Sequence, residues 1–201
     1  MSILTEPDVF RLINRDGITI YQCRANNLKD ALELAVTDHV PLHNLDLSYQ
    51  DLSFANLDDA RFYDVSFTGA NMTGANISEA VFQKCDFNES CLLGACLAYC
   101  TLSQCRFVNT EFAGLDISCA RFFFCKFVGG NVFFLDFAAA DKFVESYLYD
   151  DADQDALNLQ CLCMRLSVNG RHYIINPNHK AYVGGQIYEF DQALYEGMST
   201  I

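Results

Sequence analysis

Residues 55–79 read Ala55-Asn56-Leu57-Asp58-Asp59, Ala60-Arg61-Phe62-Tyr63-Asp64, Val65-Ser66-Phe67-Thr68-Gly69, Ala70-Asn71-Met72-Thr73-Gly74 and Ala75-Asn76-Ile77-Ser78-Glu79. Each group of five opens on a small residue and centres on a large apolar one. Outward from this stretch the frame holds at every fifth residue from Leu47 to Phe137, without a slip. A period of five matches neither the helix at 3.6 nor the strand at 2. It suits a chain that turns a corner every five residues, so that four units close a square coil of about 20 residues. The large residue then points inward from the middle of each side, with the small one filling the space beside it. Such an interior is dry and close-packed, with no room for a ligand.

Groups such as Ala55–Asp59, Ala70–Gly74 and Ala75–Glu79 resemble the A(D/N)LxX units of the pentapeptide-repeat family. That resemblance implies an all-β solenoid, a right-handed quadrilateral β-helix, of about five coils once Val40 and Leu42 extend the frame backwards. Stacking by 20 sorts the core into columns, one of them Leu47, Phe67, Phe87, Phe107 and Phe127. The expected organisation is a strand–helix cap over 1–39, the β-helix over 40–138, and an α+β element over 139–201.

In the cap, Gly17 to Cys23 alternates like a strand and Asn27 is placed to cap a helix over Leu28 to Thr37. Leu4 to Asn14 reads as a further short helix. A cap of this kind covers the open end of the coils, whose edge would otherwise template aggregation. After Phe137 the next central position is Lys142, so the frame ends there, and Ala138 to Tyr149 reads as a helix with Phe143, Tyr147 and Leu148 on its apolar face. Leu159 to Val168 and His172 to Ile175 read as a hairpin around Asn169-Gly170, followed by a strand over Ala181 to Val183 and a helical tail from Tyr188 to Met198. This end is similar to a small β-element that follows the repeats in some phage-like members of the family.

Lys and Arg number 13 against 26 Asp and Glu, a net charge of −13. So acidic a chain is not expected to bind nucleic acid through its phosphates, but it can attract a basic protein surface. No signal-peptide run or membrane-length apolar segment is evident, and the chain reads as soluble and cytoplasmic. The ten cysteines fit a reducing compartment. Cys85, Cys105 and Cys125 lie 20 apart at the small inward position, with Cys100 equivalent on another side; packing in the core is the expected role, against a soft-metal site that would need four converging ligands. Cys91, Cys96 and Cys119 fall at outward or corner positions, and Cys161 and Cys163 on two faces of a strand. Asp150, Asp151, Asp153 and Asp155 make an acidic loop without the glycine and distal glutamate of a calcium loop. His39, His43, His172 and His179 have no ligand spacing, and no catalytic motif is found. The chain therefore reads as a non-enzyme with no cofactor and no metal, with an enzyme or metal-binding protein that uses the C-terminal element as the least favoured alternative.

Two non-enzymatic classes follow. One is a protein–protein interaction scaffold. The other, implied by the resemblance, is an acidic mimic of DNA that inhibits a DNA-binding host protein, or a type II topoisomerase such as gyrase. The candidate acidic surface comprises Asp46, Asp58, Asp59, Asp64, Asp86, Glu89, Asp150, Asp151, Asp153 and Asp155. The candidate interaction face is a column without side chains, Gly74, Gly94 and Gly114, beside Leu93, Ala113, Phe133 and Phe134. It is expected either to lie under the C-terminal region or to serve a homodimer or partner.

Overall fold

The computed structural model describes residues 9–149, 155–159, 164–168, 171–175, 180–183 and 186–189. The first described element is an antiparallel hairpin, β1 (Val9–Ile13) against β2 (Thr19–Arg24). Residues 9–13 are thus strand and not helix. Phe10 and Leu12 turn inward while Val9, Arg11 and Ile13 face out, the period of 2 that pairing with β2 imposes. Leu4 to Asp8 lie outside the described residues. The side-chain oxygen of buried Asn14 accepts from the N–H groups of Asp16 and Ile18 and so holds the turn.

Helix α1 (Leu28–Thr37) starts where Asn27 accepts from the N–H of Asp30, the expected N-cap. It buries Ala31, Leu32 and Ala35 against the hairpin and the first coil. It also completes that coil's open edge. The Glu33 carboxylate accepts from the Asn56 N–H at 2.9 Å, and the Lys29 ammonium donates to the Ser53 carbonyl at 3.2 Å. One coil further on, the Asn76 N–H donates to the Ala55 carbonyl, so Glu33 stands in for a missing strand. Glu33→Ala is expected to cost about 1 kcal/mol, measured by urea unfolding; an unchanged midpoint would mean that water serves the edge equally well.

The coils follow as short strands stacked in parallel. One sheet runs β3 (Leu42–His43), β4 (Arg61–Tyr63), β5 (Val81–Gln83), β6 (Thr101–Ser103), β8 (Arg121–Phe123) and β10 (Lys142–Val144). The next side carries β7 (Arg106–Val108), β9 (Lys126–Val128) and β11 (Tyr147–Tyr149). The other two sides are tied by isolated bridges such as Asn71↔Cys91 and Asn76↔Cys96. Partners lie 20 apart, as in Phe62↔Phe82. At the corners the backbone enters the left-handed region, with φ of +57° at Asp59 and +56° at Asp64. Corner N–H groups donate to the coil above, for example Phe54 to the Thr73 carbonyl at 2.9 Å.

All the central residues from Leu47 to Phe137 are buried, as the frame requires. Rings in the column Phe67, Phe87, Phe107 and Phe127 stack at centroid distances of 5.0, 5.0 and 4.9 Å. A second column meets it edge-on, with Phe62 5.1 Å from Phe67 at 81°, a favoured aromatic geometry.

Beyond Phe137 the structure differs from the sequence expectation. Residues 142–144 and 147–149 are strands, not a helix. One extra residue enters before Phe143, so partners become 21 apart: Phe143↔Phe122 and Leu148↔Phe127. Phe143 stacks on Phe122 at 4.7 Å. The single insertion moves Lys142 outward and lets two apolar residues resume the core, a gain that outweighs the strict count of five. The departure follows the 3₁₀ turn η1 (Gly130–Phe134), entered through Gly129 at φ 108°.

Strand β12 (Ala156–Asn158) lies antiparallel on β11 and buries Leu157 over the last coil. A four-stranded antiparallel sheet follows: β13 (Met164–Val168), β14 (Arg171–Ile175), β15 (Lys180–Val183) and β16 (Gln186–Glu189). Val168 pairs with Arg171, which fits the expected two-residue hairpin; Asn169 and Gly170 themselves lie outside the described residues. Ile174 and Tyr182 are buried in the common core. Residues 188–189, expected in a helix, are strand; the rest of that tail, and Cys161 and Cys163, lie outside the described residues.

Candidate interaction faces

The four sides of the coil differ in chemistry, and the frame assigns every outward residue to one of them. Side A is centred on Phe62, Phe82, Leu102 and Phe122; side B on Phe67, Phe87, Phe107 and Phe127; side C on Met72, Leu92, Phe112 and Val132; side D on Ile77, Leu97, Ile117 and Phe137. All the coil's basic residues, Arg61, Lys84, Arg106, Arg121 and Lys126, fall on sides A and B. Sides C and D have no Lys or Arg, but they carry Asp51, Asp58, Asp59, Glu79, Glu111, Asp116 and Asp136.

Of the acidic residues singled out from sequence, the described ones therefore fall on different sides. Asp58 and Asp59 stand on side D. Asp46, Asp64, Asp86 and Glu89 stand on A and B among cations. Asp64 pairs with Arg15 at 3.0 Å, and both line a groove of about 350 Å³ with Lys84, Asp86, Gln104 and Arg106. Asp155 is exposed beside β12, while Asp150, Asp151 and Asp153 lie outside the described residues. The carboxylates that share sides C and D with Asp58 and Asp59 were missed, although residue number modulo 20 would have gathered them. Two of them are held ionised by local geometry. Hydrogen bonds from Ser53 keep the Asp51 carboxyl below its ordinary range, and those from Ser118 do the same for Asp116, because each stabilises the charged form.

The glycine column lies at the outer corner of side C, with φ of 64°, 63° and 70° at Gly74, Gly94 and Gly114. It is not bare throughout. The Phe54 ring lies on Gly74, so close that a Cβ there would sit 2.6 Å from it. Beyond, the strip is open: a Cβ on Gly94 meets nothing within 4 Å. Leu93 and Phe134 stay about half exposed, and Ala113 and Phe133 are half-buried. The C-terminal sheet touches the strip's end through β14 and η1, and among the described residues it leaves Leu93 and Gly94 uncovered.

The thiols form a separate column inside sides A and B. Cys85, Cys105 and Cys125 are buried one per coil, and each points its Sγ at the carbonyl 23 residues back, those of Phe62, Phe82 and Leu102, at 3.5–3.8 Å. Ser146 continues the column, its hydroxyl oxygen accepting from the Cys125 N–H. Burial, then the neighbouring Cys125 and Cys85, push the Cys105 thiol well above its ordinary value. Burial pushes Cys100 from 9.0 up to about 12. A raised pKa means that the unfolded thiol ionises first. Its contribution is complete below pH 9 and is lost as pH rises towards 12. Melting temperature is accordingly expected to fall across that window, and at pH 8 iodoacetamide is expected to modify exposed Cys119 but neither Cys100 nor Cys105, as read by peptide mass spectrometry.

The sequence profile of pentapeptide repeats matches eight copies, over residues 42–78 and 66–104. No curated protein matches the chain. Among solved structures, similarity is found to HetL, a pentapeptide repeat protein involved in heterocyst differentiation regulation in the cyanobacterium Nostoc sp. strain PCC 7120, at 15% identity and TM-score 0.33, over 54% of this chain and 53% of HetL. A pentapeptide repeat protein of the Arabidopsis thaliana thylakoid lumen matches at 22% identity and TM-score 0.29, over 52% of this chain and 79% of that one. QnrB1, a plasmid-mediated fluoroquinolone resistance protein, matches at 18% identity and TM-score 0.28, over 53% of this chain and 62% of QnrB1. The match thus spans about half of HetL and less than two thirds of QnrB1.

Proposed function

This chain carries the repeats of the pentapeptide-repeat family, and we propose that it is a non-enzymatic protein–protein interaction scaffold that works through sides C and D. The observation behind this reading is the charge segregation. An open apolar strip at Leu93, Gly94 and Gly114 is flanked by carboxylates on both sides and by no coil cation. A partner that fits has a flat apolar centre and a rim of Lys and Arg. A DNA-binding protein has the basic part of such a surface, because it neutralises phosphates, and in this reading the scaffold acts as a DNA-mimic-type inhibitor of that class. A second copy is a poor occupant of this face, since carboxylates would meet carboxylates. The free thiols among the described residues support a reducing compartment, the cytoplasm, in this reading.

Gly94→Arg and Asp59→Lys are expected to abolish retention of the partner by immobilised protein, with Lys84→Ala on side A retaining it. Retention by wild type is expected to weaken as salt rises. A partner held equally by Gly94→Arg would remove sides C and D from the reading. A topoisomerase as partner would be recognised by inhibition of DNA supercoiling with the same variant pattern.

A further inference from the structure

The N-terminal hairpin has an outer face and an edge that the scaffold reading does not use. Val9, Ile13 and Ile18, three of the ten exposed large apolar side chains among the described residues, cluster there. Among the described residues the sheet has two strands only, and α1 packs on its face. With a described neighbour on one side only, β1 directs the N–H and C=O groups of alternate residues to the other side. It is five residues long, without Lys or Pro, and its one charged residue is Arg11 at the centre. By contrast, the first coil's edge is served by Glu33 and Lys29.

We propose that β1 is a self-pairing edge, and that a second copy of this chain docks on it antiparallel about a two-fold axis through Arg11. The strand's sequence supports that occupant. Val9-Phe10-Arg11-Leu12-Ile13 reads apolar-apolar-Arg-apolar-apolar in both directions. Antiparallel pairing centred on Arg11 therefore sets Val9 opposite Ile13 of the second copy, and Phe10 opposite Leu12 of the second copy. Leu12 belongs to the core and Phe10 packs against it, so the inner pair joins the two cores, and the outer pair covers the exposed apolar face. The Arg11 guanidinium donates to the Gln22 side chain at 3.0 Å, which draws it sideways from the axis towards β2. Residues 9–24 hold Arg11, Arg15 and Arg24 against Asp16 alone, and with Arg15 already paired to Asp64 the apolar pairs must offset a residual like-charge repulsion at the axis.

Sedimentation equilibrium of the full chain is expected to show two-chain particles that dissociate on dilution. The Val9→Lys/Ile13→Lys double variant is expected to run as one chain with an unchanged melting curve, while Gly94→Arg stays paired. Arg11→Cys is expected to form a reducible disulfide between the two residues 11, identified by peptide mass spectrometry, because opposed strand residues lie within disulfide reach. A wild type that is one chain at every concentration overturns the proposal. So does a double variant that stays paired, or an Arg11→Cys protein that links only through other cysteines. A chain lacking residues 1–8 that pairs where the full chain does not would show that those residues hold the edge, and overturns it as well.

Discussion

Phe87→Ala is expected to lower the stability of the fold by about 3–5 kcal/mol, the range for removing a buried aromatic ring. The upper part of that range applies here for a geometric reason. Phe87 is fully buried, with Phe67 and Phe107 stacked at 5.0 Å on either side and Phe82 edge-on at 5.3 Å. Each neighbour is held in place by its own coil's backbone ladder, so the walls cannot collapse into the space that the ring leaves. Ser78→Ala, at an outward position where the hydroxyl lies 2.7 Å from both Asp58 and Asn76, should cost under about 1 kcal/mol. Equilibrium unfolding in urea measures both. The reverse ranking would show that the inward and outward positions are misassigned.

Gly129→Ala is the second substitution with a large expected effect, about 1–3 kcal/mol. The other corners accept side chains at φ near +55°, as at Asn109 and Phe124. Gly129 is different: φ 108° with ψ 154° is a region open essentially to glycine. A Cβ there would also lie 2.7 Å from the Asn109 side-chain oxygen and 3.3 Å from its Cα. Gly94→Ala, with φ 63° and open space around it, provides the control at about 1 kcal/mol. Equal melting temperatures for the two variants would show that the entry into η1 carries no special strain.

The coils were legible because each turn repeats one steric instruction, large then small, and nothing distant can override it. Phe67, Phe87, Phe107 and Phe127 could be placed in one column by counting alone. The same holds for α1, where Asn27 and the spacing of Leu28, Leu32 and Ala35 act locally. Elsewhere the deciding partner lay far away in sequence. Val9–Ile13 resembles a helix start until β2 draws it into a ladder. Phe143 resembles a helix residue until Phe122, 21 positions earlier, offers it a stacking surface. The candidate faces were half legible. The stacking of Gly74, Gly94 and Gly114 could be read from their spacing, whereas the grouping of carboxylates on sides C and D was not, because the acidic residues were gathered by type and not by side. That the Phe54 ring rests on Gly74 follows from a corner conformation that composition does not encode.

The near-parallel rings of the Phe67–Phe127 column have a consequence for any partner. Successive rings are inclined to one another by only 6–8°, so the column behaves as a straight ruler graduated in steps of one coil. A flat surface laid along side C would meet the same backbone at each graduation, and could slip by one step with little change in main-chain contact. What fixes its position is the marks on the ruler. Phe54 stands at one end, Phe134 at the other, and between them Gly94 and Gly114 leave a gap two coils long. A partner whose apolar centre matches that gap would be held in one register, whereas a longer one would meet the two rings.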